Sequence, residues 1–116
     1  MSDFKATRRV DDGSHGFLAT HQVSLCVFKG PKTGTTFDLA KERVTVGRGD
    51  STHIALNDEK ASSFHIDLLL SPEGYELHDL ESTNGTWVNG RRVEACRLED
   101  GDTIRIGDSL LRYIID

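Results

Sequence analysis

Two cysteines, Cys26 and Cys96, are all the chain holds, and seventy positions (96 − 26) separate them. That rules out a Cys-x-x-Cys pair for zinc or redox chemistry. Core thiols and a bridge between residues made adjacent by folding both stay open, with reduced thiols the default in a cytosolic setting. His15, His21, His53, His65 and His78 have no metal-ligand spacing with either cysteine. No apolar run approaches the ~20 residues of a membrane-spanning helix. The opening residues, Met1-Ser2-Asp3-Phe4-Lys5, lack the apolar stretch of a secretion signal. Positive charge is short as well: 14 Lys and Arg against 19 Asp and Glu leave a net charge of −5. Binding to nucleic acid or an anionic membrane calls for a basic face, so neither is expected as a partner.

Catalytic signatures are missing too. There is no Gly-x-Ser-x-Gly elbow and no His-Glu-x-x-His pair. Gly30-Pro31-Lys32-Thr33-Gly34-Thr35 lacks the Gly-Lys-Ser/Thr ending of a P-loop, and a plain hairpin turn is the expectation there. Asp79–Gly85 carries a hydroxyl, Thr83, where a calcium loop needs Asp or Asn. Asn84-Gly85-Thr86 is a formal glycosylation sequon, idle without an export signal. The expectation is a soluble, acidic, cytoplasmic protein of one domain, not an enzyme, with no metal and no cofactor.

What the chain does contain is a series of short strand signals. Residues 1–20 show neither a 3.6-residue nor a two-residue period and are read as a flexible tail, with the domain occupying 21–116. From Gln22 onward, apolar runs alternate with turn residues every eight to twelve positions. Val23, Leu25 and Val27 alternate with Ser24 and Cys26, the pattern of a half-buried strand. Similar runs occur at 36–39, 44–46, 54–56, 65–70, 75–78, 86–88, 91–93, 103–106 and 110–115. Asn89-Gly90 joins two of them, and a type I′ turn needs positive φ at both central residues, which these two tolerate. No window carries a long amphipathic helical period. Many short strands with Gly-rich turns indicate an all-β, antiparallel sandwich or barrel, with the sandwich preferred.

Three strand-end segments collect small polar residues: Gly47-Arg48-Gly49, Ser62-Ser63-Phe64-His65 and Ser82-Thr83-Asn84-Gly85-Thr86. One guanidinium, several hydroxyls and an amide suit a tetrahedral anion, because Arg presents a planar fork of donors and each hydroxyl adds one. The same residues also dominate ordinary turns, so composition alone leaves both readings open. Order and spacing add to this. Gly47-Arg48, then Ser62-x-x-His65, then Glu81 through Gly90, then Leu98-Glu99-Asp100-Gly101-Asp102-Thr103-Ile104-Arg105-Ile106-Gly107, together closely resemble the forkhead-associated (FHA) domain over roughly Gln22 to Ile114.

The resemblance implies an eleven-stranded antiparallel β-sandwich that binds phosphothreonine peptides through loops at one end, downstream of a Ser/Thr kinase. Carried over by position, Arg48 and Ser62 contact the phosphate, Ser63 and Thr83 add contacts beside it, and Asn84 bonds the peptide backbone. Gly47, His65, Gly85 and Asn89 take supporting roles, with peptide contact left open for Asn89. Ser63 departs from the family pattern, where a long cationic or amide side chain is common, and Lys60 is the candidate to replace it. Arg48, Lys60, Arg91 and Arg92 can form a local positive rim on the acidic chain. A second reading is a scaffolding or regulatory domain that works without phosphate, its pocket decayed. Thr7-Arg8-Arg9-Val10 places an aliphatic residue three after a threonine, a position the family often selects. Thr7, once phosphorylated, is therefore a candidate for self-binding in the protein's own pocket or a neighbour's.

Overall fold

Alternation along the longer strands decides how the chain divides into layers. In β1 (Val23–Lys29), Val23, Leu25 and Val27 are buried while Ser24 and Cys26 face outward. In β11 (Ser109–Ile115), Leu111 and Tyr113 point into the same core and Arg112 points away. The structure, a computed structural model, describes residues 14–116. Within them the remaining strands are β2 (Thr36–Leu39), β3 (Arg43–Gly47), β4 (Ile54–Ala55), β5 (Ile66–Ser71), β6 (Gly74–Asp79), β7 (Thr86–Val88), β8 (Arg91–Arg92), β9 (Ala95–Arg97) and β10 (Thr103–Ile106).

Two sheets face each other as a sandwich. One has six strands in the order β2-β1-β11-β10-β7-β8, the other five in the order β4-β3-β5-β6-β9. Leu25, Ile104, Ile106, Leu111 and Tyr113 from the first meet Val46, Ile66, Leu68, Tyr75 and Leu77 from the second, all fully buried. Burying each such side chain contributes about 1.5–3 kcal/mol. A polar clasp crosses the core: the Tyr113 hydroxyl accepts a bond from the Tyr75 amide at 3.0 Å, and the Tyr75 hydroxyl donates to the Lys41 carbonyl at 2.7 Å.

The expected eleven strands are present among the described residues, with three differences of detail. The pairing is not wholly antiparallel: β4 runs parallel to β3, with Val46 opposite Ile54 and Gly47 opposite Ala55. A loop over 48–53 returns the chain to the same edge in the same direction. Strand β9 carries no apolar alternation and exists because Cys96 and its neighbours complete the edge of β6. Finally, the irregular tail read over residues 1–20 does not extend that far. Ser14–Thr20 forms a helix, α1. A seven-residue helix is too short to persist alone. It is held by Phe17 and Leu18 against the core, and by Phe17 stacking on His21 with centroids 4.2 Å apart. Residues 1–13, Thr7 among them, lie outside the described residues.

The register also sorts the connections to the two ends of the sandwich. Val46 pairs with Ile66 and Ile66 with Asp79, so the end of β3, the start of β5 and the end of β6 come together. Ile106 opposite Thr86 brings the β10–β11 turn to the same end. Helix α1 sits at the other end, where the Phe17 ring reaches within 3.5 Å of the point a Gly74 Cβ would occupy. The two cysteines are free and half-buried on different sheets, Cys26 in β1 and Cys96 in β9.

Candidate functional site

Three loops converge where β3, β5 and β6 end. Arg48 follows directly on β3, and its backbone is pinned twice: its amide donates to the Ser62 carbonyl at 3.0 Å, and its carbonyl accepts from the Asn57 amide at 2.8 Å. This contact is close enough to require glycine before it. A Cβ on Gly47 would collide with the Ser63 carbonyl and lie 2.9 Å from Thr52 Cγ2. The Arg48 side chain is exposed, yet it is aimed. Nη1 donates to the Ala61 carbonyl at 2.9 Å and Nη2 to the Ser63 hydroxyl at 2.6 Å. Among the described residues it forms no ion pair, so pairing with Asp50 does not explain it. A guanidinium has five N–H donors; these two bonds leave three.

The second loop supplies hydroxyls that face the protein as acceptors. Ser62 Oγ accepts from the Thr83 amide at 3.0 Å, and Ser63 Oγ accepts from Arg48. Each hydroxyl carries one O–H besides its lone pairs, so both retain a donor for an incoming anion. His65, fully buried, ties this loop to the third: Nδ1 accepts from the Ser62 amide at 2.9 Å, and Nε2 lies 2.9 Å from the Gly85 carbonyl. Those partners fix the tautomer, with the proton on Nε2, since an amide can only donate and a carbonyl only accept.

The third loop is shaped from beneath by Asp79, which the sequence reading did not single out. Its carboxylate accepts from the Ser82 amide at 3.1 Å, the Ser82 hydroxyl at 2.5 Å and the Thr86 hydroxyl at 2.7 Å. Burial pushes its carboxyl up, but the bonds from Ser82 and Thr86 outweigh it and hold the group below the usual carboxylate range. Ser82 Oγ then accepts from the Gly85 amide at 3.0 Å. Thr83 and Asn84 stand exposed at the crest. Asn84 Nδ2 donates to the Lys60 carbonyl at 2.9 Å, leaving its oxygen and a second N–H. Gly85, at φ +91°, packs against Arg92, whose Nε would lie 2.8 Å from any Cβ there. The sign of Asp79 in the sequence is its place three residues before Ser82, a spacing at which a carboxylate caps a turn.

Two other expected residues sit differently. Asn89 directs both ends of its amide into the framework, Nδ2 to Asp102 Oδ1 and Oδ1 from the Thr103 amide, each at 2.9 Å. Lys60 pairs with Asp108 at 3.5 Å across a cleft of about 460 Å³ that also involves Asn84, Trp87 and Arg105. Asp58, also unremarked in the sequence, is buried and accepts bonds from the Lys60 amide, the Asp108 amide and the Ser109 hydroxyl at 3.0, 2.8 and 2.7 Å. It moors the 57–61 loop to the β10–β11 turn.

With that geometry in place, comparison with known proteins defines the class. The family model described as the FHA domain matches residues 44–107. The chain belongs to the FHA domain family. It is 39% identical over 93 residues to an ABC transporter ATP-binding/permease protein of Mycobacterium tuberculosis, covering 80% of this chain and 10% of that protein. The glycogen accumulation regulator GarA of Mycolicibacterium smegmatis is 32% identical over 97 residues, covering 84% of this chain and 61% of that one. A solved structure described as a structural and functional analysis of phosphothreonine-dependent FHA domain interactions superposes with a TM-score of 0.74 at 33% identity, covering 80% of this chain and 95% of the other. The chain thus spans from a tenth to about three fifths of the length of these curated relatives.

Proposed function

We propose that this domain binds phosphothreonine-containing segments of partner proteins, without chemistry of its own, and so reports the action of an upstream Ser/Thr kinase. The observation that carries the proposal is the set of unused donors at one end of the sandwich. Among the described residues, Arg48 keeps three N–H groups, Ser62 and Ser63 keep their hydroxyl protons, and Thr83 stands exposed beside them. A phosphate brings about −1.5 to −2 charge and three acceptor oxygens. Charge-assisted hydrogen bonds contribute about 1.5–3 kcal/mol each, so two or three separate phosphorylated from plain peptide by several decades. Threonine is assigned from the related phosphothreonine-dependent FHA structure. Asn84, with its remaining oxygen and N–H, is the group for the peptide backbone next to the phosphate. Gly47, His65, Gly85 and Asn89 support the loops.

Anisotropy with a degenerate phosphothreonine peptide pool is the test. Binding that needs both the phosphate and Arg48 supports the proposal. Equal binding of the unphosphorylated pool, or undiminished binding by Arg48→Ala, overturns it in favour of the phosphate-independent scaffold.

Thr7 remains a proposed ligand for this pocket, and the position of α1 bears on how it docks. With α1 fixed at the far end, seven positions (14 − 7) separate Thr7 from Ser14, a reach of at most about 25 Å. Docking on a neighbouring molecule and docking in cis are the two arrangements to be told apart. In the first, phosphorylation of Thr7 should cause concentration-dependent self-association that Arg48→Ala abolishes; a monomer at all concentrations with a blocked pocket would show docking in cis.

A further inference from the structure

The register of the six-stranded sheet sets Lys29, Leu110, Arg105, Trp87 and Arg92 in one row across β1, β11, β10, β7 and β8, each opposite the next. Their strand neighbours Ile104, Ile106, Leu111 and Val88 are buried, so the row lies on the outer face. At 4.7–4.9 Å per strand it runs roughly 19 Å. Trp87 is held between two cations: the Arg105 guanidinium carbon is 4.1 Å from a ring centroid and that of Arg92 is 5.6 Å. One row away, Arg112 lies 5.0 Å from the ring of exposed Phe28. Among the described residues, none of these four cations forms an ion pair. Asp38, on the edge strand β2, is the acid among the strand residues of this face.

A chain of net charge −5 therefore carries a face where cations outnumber acids. The stripe is also continuous with the candidate site. Trp87 and Arg105 line the cleft shared with Lys60 and Asn84, and on their other side a hollow of about 260 Å³ bordered by Gly90, Thr103 and Leu110. We propose that this Lys29–Arg105–Trp87–Arg92 stripe docks an acidic segment of the same phosphoprotein whose phosphothreonine sits on Arg48. The inference rests on the phosphopeptide reading above and adds a second recognition element to it. Guanidinium groups already stacked on an indole lose less freedom when they pair with a carboxylate than free ones do. A short link between phosphothreonine and acidic segment makes the second contact intramolecular, at millimolar effective concentration. The overall negative charge opposes long polyanions such as duplex DNA and anionic bilayers, which leaves a short acidic peptide as the fitting occupant.

The test uses phosphothreonine peptides of one core sequence extended by three Glu or by three Gln, on either side of the phosphothreonine. They are titrated into the wild type and into the double variant Arg92→Gln/Arg105→Gln, whose folding is checked by circular dichroism. Exposed ion pairs each change affinity by at most about fivefold, so the Glu peptide in one orientation should bind about tenfold tighter than its Gln counterpart at low ionic strength. The advantage should fade toward physiological salt, where the Debye length is about 8 Å, and vanish in the double variant. Because Arg92 also packs against Gly85, the Gln peptide sets the baseline for each protein, and the result is read as the Glu-to-Gln affinity ratio within each. Trp87 is the sole tryptophan, so its emission reports the stripe and should change more with the Glu peptide than with the Gln peptide. Equal Glu and Gln affinities in both orientations, or an advantage that survives the double variant, overturn the proposal. So does stripe-dependent binding of duplex DNA or phosphatidylserine vesicles tighter than that of the Glu peptide. Failure of the underlying reading looks different: even the Gln peptide would show no phosphate-dependent binding.

Discussion

Gly47 is the residue on which the geometry of the anion site turns. It has an ordinary backbone conformation, so its role is space: the Ser63 carbonyl occupies the volume a side chain would need. Gly47→Ala must push the second loop outward, at about 1–3 kcal/mol for an overpacked site, and carry Ser63 away from Arg48. Chemical denaturation and peptide titration should both register the loss. His65 tests the brace between loops. His65→Ala strands the Ser62 amide and the Gly85 carbonyl, and each unsatisfied group costs about 1–3 kcal/mol, so a drop of about 2–5 kcal/mol in unfolding free energy is expected. Asp79 gives a pH signature. Its carboxyl titrates lower in the folded protein than in the unfolded chain, so its stabilisation is present above the unfolded value of about 3.9 and is lost as pH falls through the folded value. The stability gap between wild type and Asp79→Asn should be widest near neutrality and shrink below about pH 4.

At the scale of elements, what was legible in the sequence follows from which forces are local. Alternation in Val23–Val27 and the Asn89-Gly90 turn are local signals, and both hold: Asn89 and Gly90 adopt φ of +53° and +84° between paired β7 and β8. The loops carrying Arg48, Ser62, Ser63, Thr83 and Asn84 could be picked out by order and spacing, and the fold brings them to one end. Strand β9 and helix α1 were not legible because tertiary contacts make them. Ala95-Cys96-Arg97 has no pattern until β6 offers an edge, and Phe17 and Leu18 need the core surface beside Gly74. Asp79 entered only as the head of a rejected calcium-loop match, and Asp58 was passed over because two of its three donors, from Asp108 and Ser109, come from a distant segment. Removing the docking contact of α1 should separate stability from binding. Phe17→Ala is expected to lower the unfolding free energy by about 1–3 kcal/mol, the scale of exposing part of an aromatic core side chain. Affinity for a phosphothreonine peptide should stay within twofold, because the helix sits at the opposite end from the loops.

Across the whole molecule, the two ends and two faces divide the work. One end holds the loops and their unused donors, the other is closed by α1, and the core between them joins the sheets through Tyr75 and Tyr113. Burial, reinforced by Tyr113, pushes the Tyr75 hydroxyl up to about 12 from its ordinary 10. A raised value means the folded state favours the protonated phenol, so that contribution is intact below about pH 10 and lost as pH climbs toward 12. Alkaline unfolding of the wild type should therefore begin above about pH 10 and be weaker in Tyr75→Phe, although that variant also forfeits the bond to Lys41. The account as a whole stands on the claim that phosphate is received by the three converging loops. An amide proton–nitrogen correlation spectrum, recorded as a phosphothreonine peptide is titrated in, tests it most directly. The account predicts that the large shifts gather at residues 47–49, 61–65 and 82–85 and are missing with the unphosphorylated peptide. Shifts of equal size from both peptides, or shifts gathered on another part of the sandwich while these loops stay still, would contradict it.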